Sequence, residues 1–268
     1  MKKSLFIFAA LCLLALPALA ESRAGVSAVM TSTTASTAEK KISVLFLGNS
    51  YTYSNDMPKM LADIASNDPG NHVQLEIQSA TKQGGTLETL WQDNRIREAF
   101  AERRWSYVVL QEQSLWAALP ESVEETTTSA RKWAELATAV EATPVIFASW
   151  ARQPNSFWYT DRKYSFLGSP RRMQENLDKN AAALAASLRG IVAPVGAAWA
   201  AALKDDVTWP LYGPDSHQPT PAGSYLSALV FYQLFTGRSA EDTTFVPAGV
   251  SAEAAARLRK FAAAVRGK

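Results

Sequence analysis

Val44-Leu45-Phe46-Leu47-Gly48-Asn49-Ser50-Tyr51-Thr52 is the stretch on which the reading of this chain turns. Four apolar residues run straight into a glycine, an amide and a serine. A continuous apolar run bounded by a turn signal reads as a strand buried on both faces. The serine then falls just past the strand's C-terminal end, where open α/β sheets place their ligand sites. Read alone, Gly48-Asn49-Ser50 serves equally well as a turn that caps the next helix.

Outward from this stretch the chain alternates. Strands are expected at 42–47, 72–79, 107–110, 144–148 and 190–195. Helices are expected at 58–66, 86–100, 122–140, 171–188, 197–203, 222–235 and 251–265. Pro58 suits the first turn of its helix. Ser122 with Glu125 three residues later matches a capping box, and Ser251 caps the final helix. The strand at 72–79 alternates through Val73, Leu75 and Ile77, as a strand at an edge does. Residues 153–170 are aromatic-rich and irregular. Strands alternating with helices imply βαβ units and a mostly parallel, five-stranded sheet, an α/β class.

The N-terminus reads separately. Lys2-Lys3, an apolar run from Leu5 to Leu16 and a small-residue end at Ala18-Leu19-Ala20 form a secretory signal peptide, with cleavage expected after Ala20. Secretion or a periplasmic location follows. The Ser/Thr/Ala-rich span 21–40 reads as a flexible leader, and 41–268 as one domain. The single cysteine, Cys12, lies in the signal, so the mature chain offers no disulfide and no cysteine metal site. Removing Lys2 and Lys3 from the 27 basic residues leaves 25 against 25 acidic. That neutrality argues against a nucleic-acid groove or a polybasic membrane patch. No stable membrane anchor is expected, because no later apolar run reaches spanning length.

The polar clusters gather at strand ends: Ser50, Gly84-Gly85, Gln111 to Ser114, and Trp150 to Arg152. Several independent strands delivering polar groups to one edge point to a crevice there. A serine hydroxyl needs a base to become a nucleophile. The chain has two histidines. His72 precedes a strand, at the opposite edge, and reads as a surface residue. His217 lies in Asp215-Ser216-His217-Gln218-Pro219, with an acid two residues before it. Such a carboxylate can orient one ring nitrogen and leave the other for a serine. The amide of Ser50, a glycine amide at Gly84 or Gly85, and a carboxamide from Gln111 or Gln113 are the candidate oxyanion donors.

At this point the pattern resembles the GDSL/SGNH hydrolases: a first block Gly48-Asn49-Ser50-Tyr51-Thr52, a second-block glycine, and Asp215-x-His217 near the C-terminus. The third block reads Leu110-Gln111-Glu112-Gln113-Ser114 where that family carries Gly-x-Asn-Asp, and the family's Asp-x-x-His is contracted by one residue. The resemblance implies a three-layer flavodoxin-like fold and ester hydrolysis through an acyl-serine. It also implies Ser50, His217 and Asp215 as the triad, oxyanion donors from Ser50, Gly85 and Gln111 or Gln113, and no metal or other cofactor. Asn49, Trp150 and Arg152 are expected to touch substrate, with Trp158 and Tyr159 beside them. Trp105, Trp116 and Trp199 are expected in the core. Together these expectations favour a secreted esterase that removes O-acetyl groups from carbohydrate. A lipid esterase or thioesterase, and an inactive glycan-binding domain, are the alternatives.

Overall fold

The computed structural model describes residues 25–29, 40–205 and 208–265. The signal peptide expected at 1–20 and residues 30–39 of the expected leader lie outside them. Within that leader, β1 (Gly25–Val29) pairs antiparallel with a later strand. The flexible reading of 21–40 therefore fails for these five residues. Ser/Thr/Ala composition alone gave no sign of a strand whose partner lies some fifty residues on.

In chain order the elements are β2 (Lys40–Gly48), α1 (Ser50–Tyr53), α2 (Met57–Ser66), β3 (Val73–Thr81), α3 (Leu87–Trp91) and α4 (Asn94–Ala101). They continue with β4 (Tyr107–Leu110), α5 (Ser114–Ala118), α6 (Val123–Ala139), β5 (Thr143–Phe147) and α7 (Pro170–Leu188). The chain closes with β6 (Ile191–Ala193), α8 (Val195–Ala202), α9 (Pro221–Thr236) and α10 (Ala252–Ala263). The sheet order is β1-β3-β2-β4-β5-β6. The five strands from β2 to β6 are mutually parallel, and β1 adds an antiparallel edge. The α/β class and mostly parallel sheet stand, with a sixth strand added.

Residue alternation in β2 sorts the two cores. Ile42, Val44 and Phe46 face a cluster built with α2, α8, α9 and α10. Leu45 and Leu47 face a second cluster carrying residues of α3, α4, α6 and α7. A strand covered on both faces cannot alternate with polar residues, which is why Val44 to Leu47 is unbroken apolar sequence. Three local expectations change. β3 lies between β1 and β2 rather than at an edge. The helix expected at 86–100 is two helices, because the Asp93 side chain accepts from Arg95 N–H and caps α4 afresh. Ser122 makes no side-chain cap; its backbone is already helical, and a 3₁₀ turn (Pro120–Ser122) leads into α6.

The chain leaves β2 for β3 on one side, then crosses back to β4 on the other. That reversal opens a crevice beyond the C-terminal ends of these strands. Two ladder bonds extend past it: Lys82 N–H donates to Gly48 O (3.0 Å) and Gln111 N–H donates to Leu47 O (2.9 Å). The loops after β3 and β4 are thereby fixed on either side of Ser50.

Candidate active site

The side chains that flank Ser50 at the β2–α1 junction are tied into the scaffold, while no described group pairs with the Ser50 N–H itself. Asn49 N-caps α1, its Oδ1 accepting from Tyr51 N–H (3.2 Å). Its Nδ2 donates to Gly85 O (2.9 Å). Gln111, fully buried, accepts at Oε1 from Asn49 N–H (2.8 Å) and from the Thr52 hydroxyl (3.1 Å). Its Nε2 donates to Glu112 O (2.7 Å). A Cβ on Gly48 would come within 2.6 Å of Gln111 Oε1 and of Thr52 Oγ1, so the glycine is what admits this brace. Ser50 is left at the first turn of α1, half-buried, with its hydroxyl on an open cavity of about 490 Å³.

These bonds correct three expected roles. Gln111 has both ends of its amide committed to the scaffold, so it is not an oxyanion donor. Asn49 lines the cavity but also braces two loops: its oxygen and one amide N–H are engaged in the scaffold, which leaves a single N–H for substrate. Gly85 N–H is bonded to Lys82 O (3.0 Å) and points away from the site. Its neighbour Gly84, at φ +63°, lines the cavity instead. Gln113 also lines it, while its Oε1 accepts from Leu115 and Trp116 N–H and caps α5. The Ser50 and Gly84 amides and the Gln113 carboxamide nitrogen are thus the donors available to a developing oxyanion.

Glu112, between the two glutamines, is buried. Burial pushes its pKa up to about 7 against the pull of N–H donors from Gln113 and Leu87.

The opposite wall is the loop from Tyr212 to Pro219. Its ends meet in an antiparallel bridge, and Ser216 sits at φ +64°. Trp150 Nε1 donates to His217 O (3.0 Å) and Trp158 Nε1 to Asp215 O (3.3 Å). Asp215 Oδ1 accepts both His217 N–H (3.0 Å) and Gln218 N–H (2.8 Å). Its Oδ2 lies 3.3 Å from His217 Nε2. His217 Nδ1 faces Tyr51 Oη at 3.5 Å. The residue that reaches the serine is Gln218: its Nε2 donates to Ser50 Oγ (2.8 Å). Ser50, His217 and Asp215 therefore share one cavity, but Asp215 meets the Nε2 of His217, and Nδ1 faces Tyr51 rather than the serine. The serine, however, is held by an amide donor rather than by the imidazole.

Electrostatics favour a neutral imidazole. Burial, together with the Arg152 guanidinium, lowers the His217 pKa to about 4 against the opposing pull of Asp215. Burial would raise Asp215, but N–H donors from Gln218 and His217, with the charges of His217 and Arg152, hold its carboxyl below the usual range.

Trp150 is 1% exposed, stacked between Tyr51 at 4.2 Å and Trp199 at 4.0 Å. It is core and offers no face to a ligand, which corrects its expected role. Trp105 and Trp199 are buried as expected, but Trp116 is 38% exposed. It stands on the short α5, its Nε1 reaching Glu125 (3.3 Å). His72 is exposed before β3, away from the site, as expected. Arg152 does line the cavity, and Tyr159 Oη donates to its carbonyl (3.0 Å). Sequence reasoning missed Tyr51 and Gln218. Tyr51 carries a weak signal, being fixed beside Ser50 by the short helix. Gln218 carries none, since only the loop's fold turns it rather than its neighbour inward.

The fold is shared with solved structures. A candidate SGNH hydrolase from Slackia heliotrinireducens is 29% identical, over 72% of this chain and 98% of that one, with a TM-score of 0.59. The chain belongs to the GDSL/SGNH hydrolase superfamily. A DUF4886 family protein from Bacteroides uniformis superposes with a TM-score of 0.70 at 17% identity, over 84% of this chain and 94% of that one. An acetylxylan esterase from Geobacillus stearothermophilus shares the fold at 14% identity and a TM-score of 0.51, covering 72% and 93%. No protein-family model matches the sequence, and neither does any of the curated proteins.

Proposed function

We propose that this SGNH protein is a serine carboxylic-ester hydrolase, secreted or periplasmic, that removes acetyl groups from a carbohydrate. The observation that carries the reading is Ser50. A solvent-facing hydroxyl stands at the end of the central strand beside two available amide N–H groups, with a neutral histidine and its carboxylate on the same cavity.

In the proposed mechanism Gln218 yields the Ser50 hydroxyl, and the His217 ring turns from its Tyr51 contact to take the proton. Ser50 Oγ attacks the ester carbonyl. The oxyanion rests on Ser50 N–H, Gly84 N–H and the Gln113 carboxamide. Asp215 steadies the imidazolium, which then protonates the departing alcohol. Water, activated by the same imidazole, releases the acid. Each step uses the chain's own residues and needs no metal or other cofactor. The fold shared with an acetylxylan esterase supports the acetyl preference. A neutral mature charge and the signal sequence support an external, non-nucleic-acid substrate.

The test is hydrolysis by the mature protein across p-nitrophenyl esters and acetylated oligosaccharides. Acetyl is expected to be preferred, and Ser50→Ala to lower kcat by at least ~10³-fold. Preference for long acyl chains would replace acetylesterase by lipid esterase or thioesterase. A second reading, an inactive glycan-binding domain, is favoured by the Gln218–Ser50 bond itself. Absence of all hydrolysis, or full activity in the alanine variant, would establish that Ser50 is no nucleophile.

A further inference from the structure

Arg152 is 2% exposed, yet it forms no ion pair among the described residues. A buried guanidinium ordinarily has a carboxylate against it, because an uncompensated charge in the interior is costly. Here Nη1 donates to Tyr51 Oη, the Cζ stands 4.5 Å above the Trp158 ring, and Nε has no partner at all. The one carboxylate on the same cavity, Asp215, is already committed. Its Oδ1 takes two backbone N–H groups and its Oδ2 faces His217. His217, its pKa lowered, adds no positive charge at neutral pH. The cavity therefore holds a fixed, oriented, under-satisfied cation. A planar fork of this kind is matched by a carboxylate.

Its placement says which part of a substrate would carry that carboxylate. Tyr51 Oη links Arg152 Nη1 to His217 Nδ1, so the cation lies on the histidine's side of Ser50. The oxyanion donors at Gly84 and Gln113 come from the loops after β3 and β4. In the proposed mechanism the histidine side receives the leaving alcohol and the amide side receives the acyl oxygen. We infer that Arg152 is a specificity residue for a carboxylate on the alcohol portion, making the substrate an acetylated uronic acid or a saccharide containing one. This inference rests on the esterase reading for its orientation, but the anion subsite stands on the geometry of Arg152 alone.

The experiment reads binding rather than turnover. The full chain carrying Ser50→Ala is titrated calorimetrically with D-glucuronate and with D-glucose at pH 7. Glucuronate is expected to bind at least ~10-fold more tightly, and R152Q to remove that difference, since hydrogen bonds to a charged partner account for ~10- to 100-fold in affinity. R152K, which keeps the charge and loses the fork, is expected to restore only part of it. Equal affinity for the two sugars, no detectable glucuronate binding, or a uronate preference that survives R152Q would each overturn the inference. If R152Q fails to fold, R152K assigns the preference to Arg152, and equal affinity of Ser50→Ala for the two sugars overturns the inference with no second variant. Inorganic sulfate binding as tightly as glucuronate would also overturn it, by showing a general anion site. A chain that binds glucuronate through Arg152 yet hydrolyses no ester would lose the esterase reading and keep the carboxylate subsite. An active esterase indifferent to the carboxylate would do the reverse.

Discussion

The two walls of the cavity are built differently. On the nucleophile side, Gly48, Asn49, Thr52 and Gln111 interlock across two parallel strands and leave the Ser50 N–H as the junction's open donor. On the base side, a single loop is held by tryptophan donors to its backbone, and its side chains are paired in a way that does not yet serve the serine. The first wall is fixed by strand register. The second can exchange partners by turning side chains alone, because the bonds that hold the loop are to its carbonyls and not to His217's ring. The nucleophile is held rigidly, and the base reaches it by rearrangement.

The sharpest way to break this comparison is to delete the two side chains that compete for Ser50. His217→Ala is expected to lower kcat by ~10³-fold, in the range for loss of a general base. Gln218→Ala is expected to change it by less than ~10-fold, since it removes one neutral hydrogen bond of about 1 kcal/mol. Steady-state kinetics on an acetyl ester separates the two. Collapse in the Gln218 variant with little change in the His217 variant would make residue 218 the operating partner of the serine.

Next in size is the brace. Gln111→Ala leaves the Asn49 N–H and the Thr52 hydroxyl buried without their acceptor. The expected loss is about 3 kcal/mol, or a fall in Tm of about 10 °C for a chain of this size. Thermal unfolding followed by circular dichroism checks it. A variant as stable as the wild type would show that the junction is held by strand register and not by this amide.

How much of this was legible in the sequence follows the same division. Val44 to Leu47 announced a doubly covered strand, and Ser50 announced itself by its position past the end of it, because strand burial and turn chemistry are local properties. The helix break at Asp93 and the missing cap at Ser122 depend on which of several local options the packing selects. Gln111, Gly85 and Trp150 were expected at the site because strand ends converge there. Convergence does not say which side chains face the crevice and which brace it, and these three brace it. Gln218 could not be read at all: its direction is set by Ser216 at positive φ and by donors from residues far away in sequence. β1 was hidden for the same reason, since an edge strand owes its structure to its neighbour.

The smallest expected effect concerns protonation of the base. His217 accepts a proton only when neutral, and burial with the Arg152 charge lowers its pKa to about 4. Activity should therefore hold as the pH falls through the ordinary histidine range, and drop only below about pH 4 to 5. In Arg152→Gln one of the two lowering causes is gone and burial remains, so the acid limb should move upward while staying below the usual value of ~6.5. Stability follows the same sign. The folded histidine binds its proton less readily than the unfolded one, so the stability it confers is complete above about pH 6.5 and is lost as the pH falls towards 4. A pH profile of kcat/KM for both proteins measures the shift. A wild-type limb between pH 6 and 7, unmoved by Arg152→Gln, would mean that the working imidazole is not the one that faces Arg152 and Tyr51. It would also mean that the base side rearranges further than a turn of one ring.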